Sequence, residues 1–320
     1  MHSLALLFTA TLFLSVTDPA PVTVLAPEDD PPRRAVLVTG ASSGIGRATA
    51  ERLAAEGFHV YAGARKAEDL AALDALDNME GIRLDVTLPA EIEAAVETVR
   101  AGGRGLYGLI NNAGVAVVAP LIEVSEAELH FQLDVNVYGP YRVTKAFAPL
   151  IIESQGRVST TGSISGFVTW GLGGPYTMSK HAVEAFTDVL AAELEPLGVR
   201  VSIVEPGNYK SSISESMRKR LVEAGYDSEG SRYKAQMDQL MAGSADRSQY
   251  KDPTEVAEAF LHAMTAEQPK RRYLVVPDAR EAGFTVRAAM QRVVELNRDQ
   301  PYELDRDQLI AMLDELLSGT

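Results

Sequence analysis

The sequence predicts a doubly wound α/β domain, a parallel sheet with helices on both faces. Two observations predict it. Short apolar runs rich in β-branched residues recur from Arg34 to Pro277, and segments with apolar residues at helical spacing alternate with them. Strands buried on both faces read as unbroken apolar runs, and the intervening helices supply the crossovers. The composition is that of an ordinary globular chain, 46% hydrophobic and 23% charged over 320 residues, which is enough to bury one large domain.

The elements follow in order. Ala35 to Thr39 reads as the first strand and Gly44 to Glu56 as an amphipathic helix. His59 to Ala64 is strand-like, and Ile82 to Leu84 is a brief strand ending at Asp85. Ala90 to Arg100 is a helix and Leu106 to Ile110 a strand. Ser125 to Leu150 is a long helical stretch interrupted near Gly139-Pro140, because proline cannot donate within a helix. Arg157 to Thr161 and Val199 to Val204 are strands flanking the helix Tyr176 to Leu194. Thr254 to Ala266 and Arg272 to Val276 form the last helix and strand.

Three regions lie outside this alternation. Residues 208–251 are polar and long, the usual character of a lid over a ligand site. Residues 278–320 form a C-terminal helical extension, with amphipathic patterns at Thr285 to Leu296 and Asp307 to Leu317 suited to packing on the domain or to an oligomer contact. Residues 1–33 hold an uncharged apolar run, Leu4 to Val16, and then a Pro- and acid-rich linker. The run is too short to span a bilayer as a regular helix but has the length of an export-signal core. No Lys or Arg precedes it, so export signal, membrane-associating segment and plain tail all stay open.

A formal charge of −14 argues against nucleic acid or an anionic membrane as the main partner, since either favours a basic face. The chain has no cysteine, which excludes disulfides, thiolate metal sites and a cysteine nucleophile, and is neutral on compartment.

Gly40, Ser42, Ser43, Gly44, Ile45 and Gly46 join the first strand to the first helix. Glycines there allow a tight turn and let a pyrophosphate approach peptide N–H groups at a helix N-terminus. Placement between an apolar strand and an amphipathic helix makes this a Rossmann-type dinucleotide loop. The spacing Gly-x-x-x-Gly-x-Gly resembles that of the short-chain dehydrogenase/reductase family.

An acidic residue at the end of the second strand would bind the 2′-hydroxyl of NAD. Ala64 stands there instead and Arg65 follows, with no carboxylate competing in the sequence. That favours NADP as cofactor, with NAD as the alternative. By resemblance, Asp85-Val86 matches the family's adenine-contacting position, and Asn112, Ala113 and Gly114 match its cofactor-lining turn. Pro206 and Gly207 follow the sixth strand, and Ser211 stands where the family usually has a threonine touching the nicotinamide carboxamide.

Tyr176 and Lys180 lie four residues apart on a helix and so share a face. Ser163 follows the strand Arg157 to Thr161, and ligands of open parallel sheets bind beyond the carboxyl ends of strands. A tyrosine exchanges protons with substrate oxygen at neutral pH only if a nearby cation supports its phenolate. Lys180 can be that cation, and Ser163 can polarise the oxygen. Asn136 matches the family's fourth catalytic position, where it supports a water-linked relay to the lysine.

Shorter stretches, including Val183 to Asp188 and Ser202 to Gly207, look most like the branch holding retinol, 17β-hydroxysteroid and 3-hydroxybutyrate dehydrogenases. The resemblance implies an oxidoreductase acting on a small alcohol or carbonyl compound, of apolar character, and a homodimer or homotetramer. Two other readings stand beside it: an NAD-dependent dehydrogenase of a small hydroxy acid, and a dinucleotide-binding sensor or scaffold without turnover. Substrate identity falls to Phe167 to Gly174 and Asn208 to Lys251. The nicotinamide requirement suits the cytoplasm or a membrane surface, while the N-terminal run leaves export open.

Overall fold

The computed structural model describes residues 34–243 and 246–319. The readings made for residues 1–33 lie outside the described residues. Seven parallel strands form one sheet in the order β3-β2-β1-β4-β5-β6-β7. They are β1 (Ala35–Val38), β2 (His59–Ala64), β3 (Met79–Arg83), β4 (Gly108–Asn111), β5 (Arg157–Thr161), β6 (Arg200–Pro206) and β7 (Arg272–Val275). The order reverses between β1 and β4, where an open α/β sheet leaves a crevice beyond its strand ends.

Alternate residues of each strand feed two cores. On β1, Ala35 and Leu37 pack with Phe147 and Ile151, while Val36 and Val38 pack with Leu53 and Phe260 on the opposite face. This is why the strands read as continuous apolar runs: both neighbours along the chain are buried. The helices α1 (Gly44–Ala55), α2 (Ala67–Asp74), α3 (Pro89–Ala101), α4 (Glu126–Leu133), α5 (Gly139–Glu153), α6 (Gly174–Leu194), α7 (Ile213–Glu223), α8 (Lys234–Ala242), α9 (Thr254–Thr265), α10 (Ala279–Asn297) and α11 (Arg306–Ser318) complete the unit.

The structure corrects three sequence expectations. The third strand starts at Met79 rather than Ile82, because Val60 pairs with Met79 and the register carries Glu80 and Gly81 into the sheet. The fourth runs from Gly108 to Asn111 rather than from Leu106, being limited by its pairing with Val36 to Val38. The helical stretch is not broken at Gly139-Pro140. A π-helical segment over Asp134–Tyr138 joins α4 to α5, and the Gly139 N–H bonds to the Asp134 carbonyl five residues back. Pro140 has no N–H for the Asn136 carbonyl, so the wider turn absorbs the missing donor and the helix continues.

Residues 208–251 hold α7 and α8, and the C-terminal extension forms α10 and α11. Glu281 of α10 accepts hydrogen bonds from the backbone and side chain of Asn208, just after β6. The extension is thereby tied to the loop beyond the sheet.

Candidate active site

A cavity of about 680 Å³ opens at the carboxyl ends of the strands. Gly40 to Gly46, Arg65, Asp85, Val86, Asn112, Ala113 and Gly114 line one end, except that Ala41 is not among them. Asn136, Ser163, Tyr176, Lys180, Pro206 and Gly207 line the other, and Ser211 lines the cavity beside Gly44. Every site residue proposed from the sequence therefore borders one space.

The glycine loop fits a dinucleotide phosphate group. Gly40 and Gly44 have φ of 66° and 55°, conformations that a Cβ disfavours. A Cβ on Gly40 would also lie 2.8 Å from the Ala113 Cα. The first turn of α1 carries no acidic residue, and the Ser43 side chain makes no capping bond. The N–H groups at this helix end thus keep their capacity for an anion.

Asn112 holds the crevice together rather than reaching out of it. Its amide donates to the Thr39 and Gly40 carbonyls at 3.1 and 3.2 Å and accepts from the Thr161 hydroxyl at 3.1 Å. It ties the ends of β1, β4 and β5 together.

Arg65 is not free of carboxylates, contrary to the sequence expectation. Its Nη1 lies 3.7 Å from Asp85 Oδ2, because the ends of β2 and β3 are neighbours in the sheet. Burial raises the Asp85 pKa, but hydrogen bonds from the Thr87 hydroxyl and amide, with Arg65, outweigh it and hold the carboxyl below its ordinary value. Arg65 itself is exposed, so this pair is a loose one.

At the other end, Tyr176 and Lys180 project from the first turns of α6, with the Lys180 Nζ 5.7 Å from the tyrosine ring centroid. Burial raises the Tyr176 pKa above its ordinary value, against the Ser163 hydroxyl that hydrogen-bonds it and the charge of Arg247. Burial likewise lowers Lys180 to about 8, opposed by the Glu184 carboxylate. At neutral pH Lys180 is therefore still a cation. It donates to the Thr161 carbonyl at 2.7 Å, which fixes its head at the end of β5.

Asn136 braces the wall. Its amide oxygen accepts from Val115 N at 2.8 Å, and its amide nitrogen donates to Val115 O and to the Ser179 hydroxyl. Gln132, one turn earlier, does the same for Val117 N and Val115 O. Sequence reasoning missed Gln132, which is fully buried; a polar residue on the inner face of a helix was the available signal.

It also missed the residues that shape the far end. Val118, Phe131, Val168, Trp170, Met217 and Phe284 line it, together with Arg247. They come from six separate parts of the chain. The stretches Phe167 to Gly174 and Asn208 to Lys251 were indicated as stretches only.

Residues 34–221 match the family model for short chain dehydrogenase. The chain belongs to that family. It is 36% identical over 264 residues to the mitochondrial D-beta-hydroxybutyrate dehydrogenase of Rattus norvegicus, covering 75% of this chain and 76% of that one. It is 34% identical over 257 residues to retinol dehydrogenase 7 of Mus musculus, covering 77% and 81%. A short-chain dehydrogenase/reductase of Burkholderia phymatum solved with NAD superposes with a TM-score of 0.71 at 26% identity, covering 85% and 98%. As a member of the short-chain dehydrogenases, in the branch the sequence indicated, this protein is an oxidoreductase using a nicotinamide dinucleotide.

Proposed function

We propose that the protein interconverts a secondary alcohol and a ketone, or a primary alcohol and an aldehyde, with NADP(H), and that Tyr176 is its general acid and base. The observation that carries this reading is the grouping of Ser163, Tyr176 and Lys180 around one end of a cavity whose other end is the glycine loop. A nicotinamide dinucleotide supplies or accepts the hydride when bound. The α1 N-terminus with Ser42 and Ser43 would hold its pyrophosphate, Asp85 and Val86 its adenosine, and Lys180 the nicotinamide ribose.

The residues then divide the work. The Ser163 hydroxyl donates to the substrate oxygen and fixes its distance from the phenol. Tyr176 gives its proton to that oxygen as the carbonyl becomes an alcohol, and removes it in the reverse direction. A phenol kept protonated by burial suits the donating role. Lys180, cationic at neutral pH, stabilises the phenolate left behind. Asn136 acts by holding the Val115 backbone and Ser179 beside this pair. The apolar lining from Trp170, Met217 and Phe284 suits an apolar substrate body.

Arg65 supports NADP as the cofactor, while the Asp85 carboxylate beside it supports the second reading, an NAD-dependent dehydrogenase of a small hydroxy acid. The hydroxybutyrate dehydrogenase relative is named for a substrate of that kind. A sensor or scaffold without turnover has no use for the complete Ser163, Tyr176 and Lys180 set.

The test is Tyr176→Phe, measured by nicotinamide absorbance and by cofactor fluorescence titration. Turnover is expected to fall about 10²–10⁴-fold, with cofactor affinity kept. A variant that turns over at the native rate removes Tyr176 from the reaction.

A further inference from the structure

We infer that Arg247 is an anion-receiving group at the substrate end, and that the substrate carries a carboxylate beyond its reacting carbon. This rests on the oxidoreductase reading above and narrows its substrate to an oxo or hydroxy acid with an apolar body.

The arginine lies in the segment between α8 and α9 and borders the cavity. Its charge reaches the Tyr176 hydroxyl, the group assigned to the reacting oxygen, and favours the phenolate there. Its partners Asn208 and Tyr209 follow β6, whereas Arg65 and Asp85 stand at the ends of β2 and β3 on the far side of the sheet order.

Its bonding sets it apart. Nε donates to the Tyr209 carbonyl at 3.1 Å, Nη2 to Asn208 Oδ1 at 3.1 Å and Nη1 to the Ser214 hydroxyl at 3.5 Å. Among the described residues its hydrogen-bonding partners are all neutral. A guanidinium has five N–H donors, so one N–H remains on each terminal nitrogen, a pair able to meet the two oxygens of a carboxylate. By contrast, Arg220 on α7 pairs both ways with Glu128 at 2.8 and 2.9 Å. Acidic residues outnumber basic ones 44 to 30 in this chain, so carboxylates are in ample supply, yet the three hydrogen bonds of Arg247 among the described residues go to neutral oxygens.

The arginine is also held in position. Asn208, which accepts from it, gives its own amide to Glu281 of α10. The Tyr250 ring lies 4.4 Å from the guanidinium carbon. The cavity lining holds Ile213, Met217, Leu240 and Phe284 as well as the polar Asn208, Ser212 and Ser214. A ligand whose carbonyl meets Tyr176, whose chain lies on the apolar part of that lining and whose acid meets Arg247 satisfies all three.

Calorimetric titration of hexanoate and hexanamide, two probes of equal shape and unequal charge, tests this on the full chain with and without NADP. The wild type is expected to bind hexanoate at least about ten-fold more tightly than hexanamide. Arg247→Gln should bring the two within about two-fold, and Arg247→Lys, which keeps the charge without the fork, should retain part of the preference. Equal binding of the two probes by the wild type overturns the inference. So does an acid preference that survives Arg247→Gln. A variant that loses NADP affinity while its acid preference is unchanged assigns Arg247 to the cofactor phosphates instead, which also overturns it. If the wild type binds no nicotinamide cofactor by fluorescence, the oxidoreductase reading fails, and the titration without cofactor still decides the role of Arg247.

Discussion

The two ends of the cavity are built in different ways. The cofactor end is mostly backbone: Gly40 and Gly44 in left-handed conformations, the N-terminus of α1, and Asn112 binding three strand ends together. The substrate end is mostly side chain, assembled from loops and helices between Val118 and Phe284. A phosphate is a fixed shape and charge that peptide N–H groups can meet, so the first end needs glycines at set spacing. A substrate is met by apolar surface and a few polar groups, for which many residue combinations serve.

Changes at the two ends should therefore separate. The largest effect is expected at Gly46, where a Cβ would fall within the van der Waals shells of the Gly40 carbonyl oxygen and the Asn112 amide. Gly46→Ala should destabilise the fold by about 1–3 kcal/mol and abolish cofactor binding in fluorescence titration. Gly230→Ala, where added carbon meets nothing within 4 Å, is the matched control and should leave both unchanged. Native cofactor affinity in Gly46→Ala would erase the proposed contrast between the two ends.

A smaller effect is expected at Arg65. Arg65→Ala should weaken NADP about ten-fold and NAD hardly at all, since a charge-assisted contact to a phosphate contributes about 1.5–3 kcal/mol. Equal weakening of both cofactors would mean that the arginine serves Asp85 rather than a 2′-phosphate.

A separate, pH-dependent effect concerns the wall behind Ser163. Glu184 and Glu205 are buried side by side, facing Arg272 at 3.3 and 3.5 Å, with Asp188 also on that guanidinium at 2.7 Å. Burial, then the Glu184 charge, pushes Glu205 up to about 8. The fold thus holds a proton that the unfolded chain gives up in the ordinary carboxylate range. Stability from that proton is full below about pH 4 and is lost as pH rises through about 8. Glu205→Gln should flatten the fall in melting temperature between pH 5 and 8. A variant whose pH dependence parallels the wild type would remove Glu205 from that role.

The sequence made the cofactor end legible because its determinants are local. Gly40 to Gly46 lie within seven residues, and Tyr176 and Lys180 within one helical turn, so spacing alone puts them together. It missed α2, where eight residues bury only Leu73 and give little periodicity. It read Arg65 as free of carboxylates because Asp85 is distant in the chain and adjacent only through the pairing of β2 with β3.

Alternation of apolar runs and amphipathic segments, which depends only on which faces must be buried, determined the α/β class and the residues at the strand ends. Tertiary structure alone decided what those residues face. It turned Pro140 from a helix break into a π turn at Asn136, set Asp85 beside Arg65, and brought Arg247 and Phe284 to the cavity that Tyr176 lines. Such meetings depend on distances across the sheet ends, and no local pattern of residues encodes them.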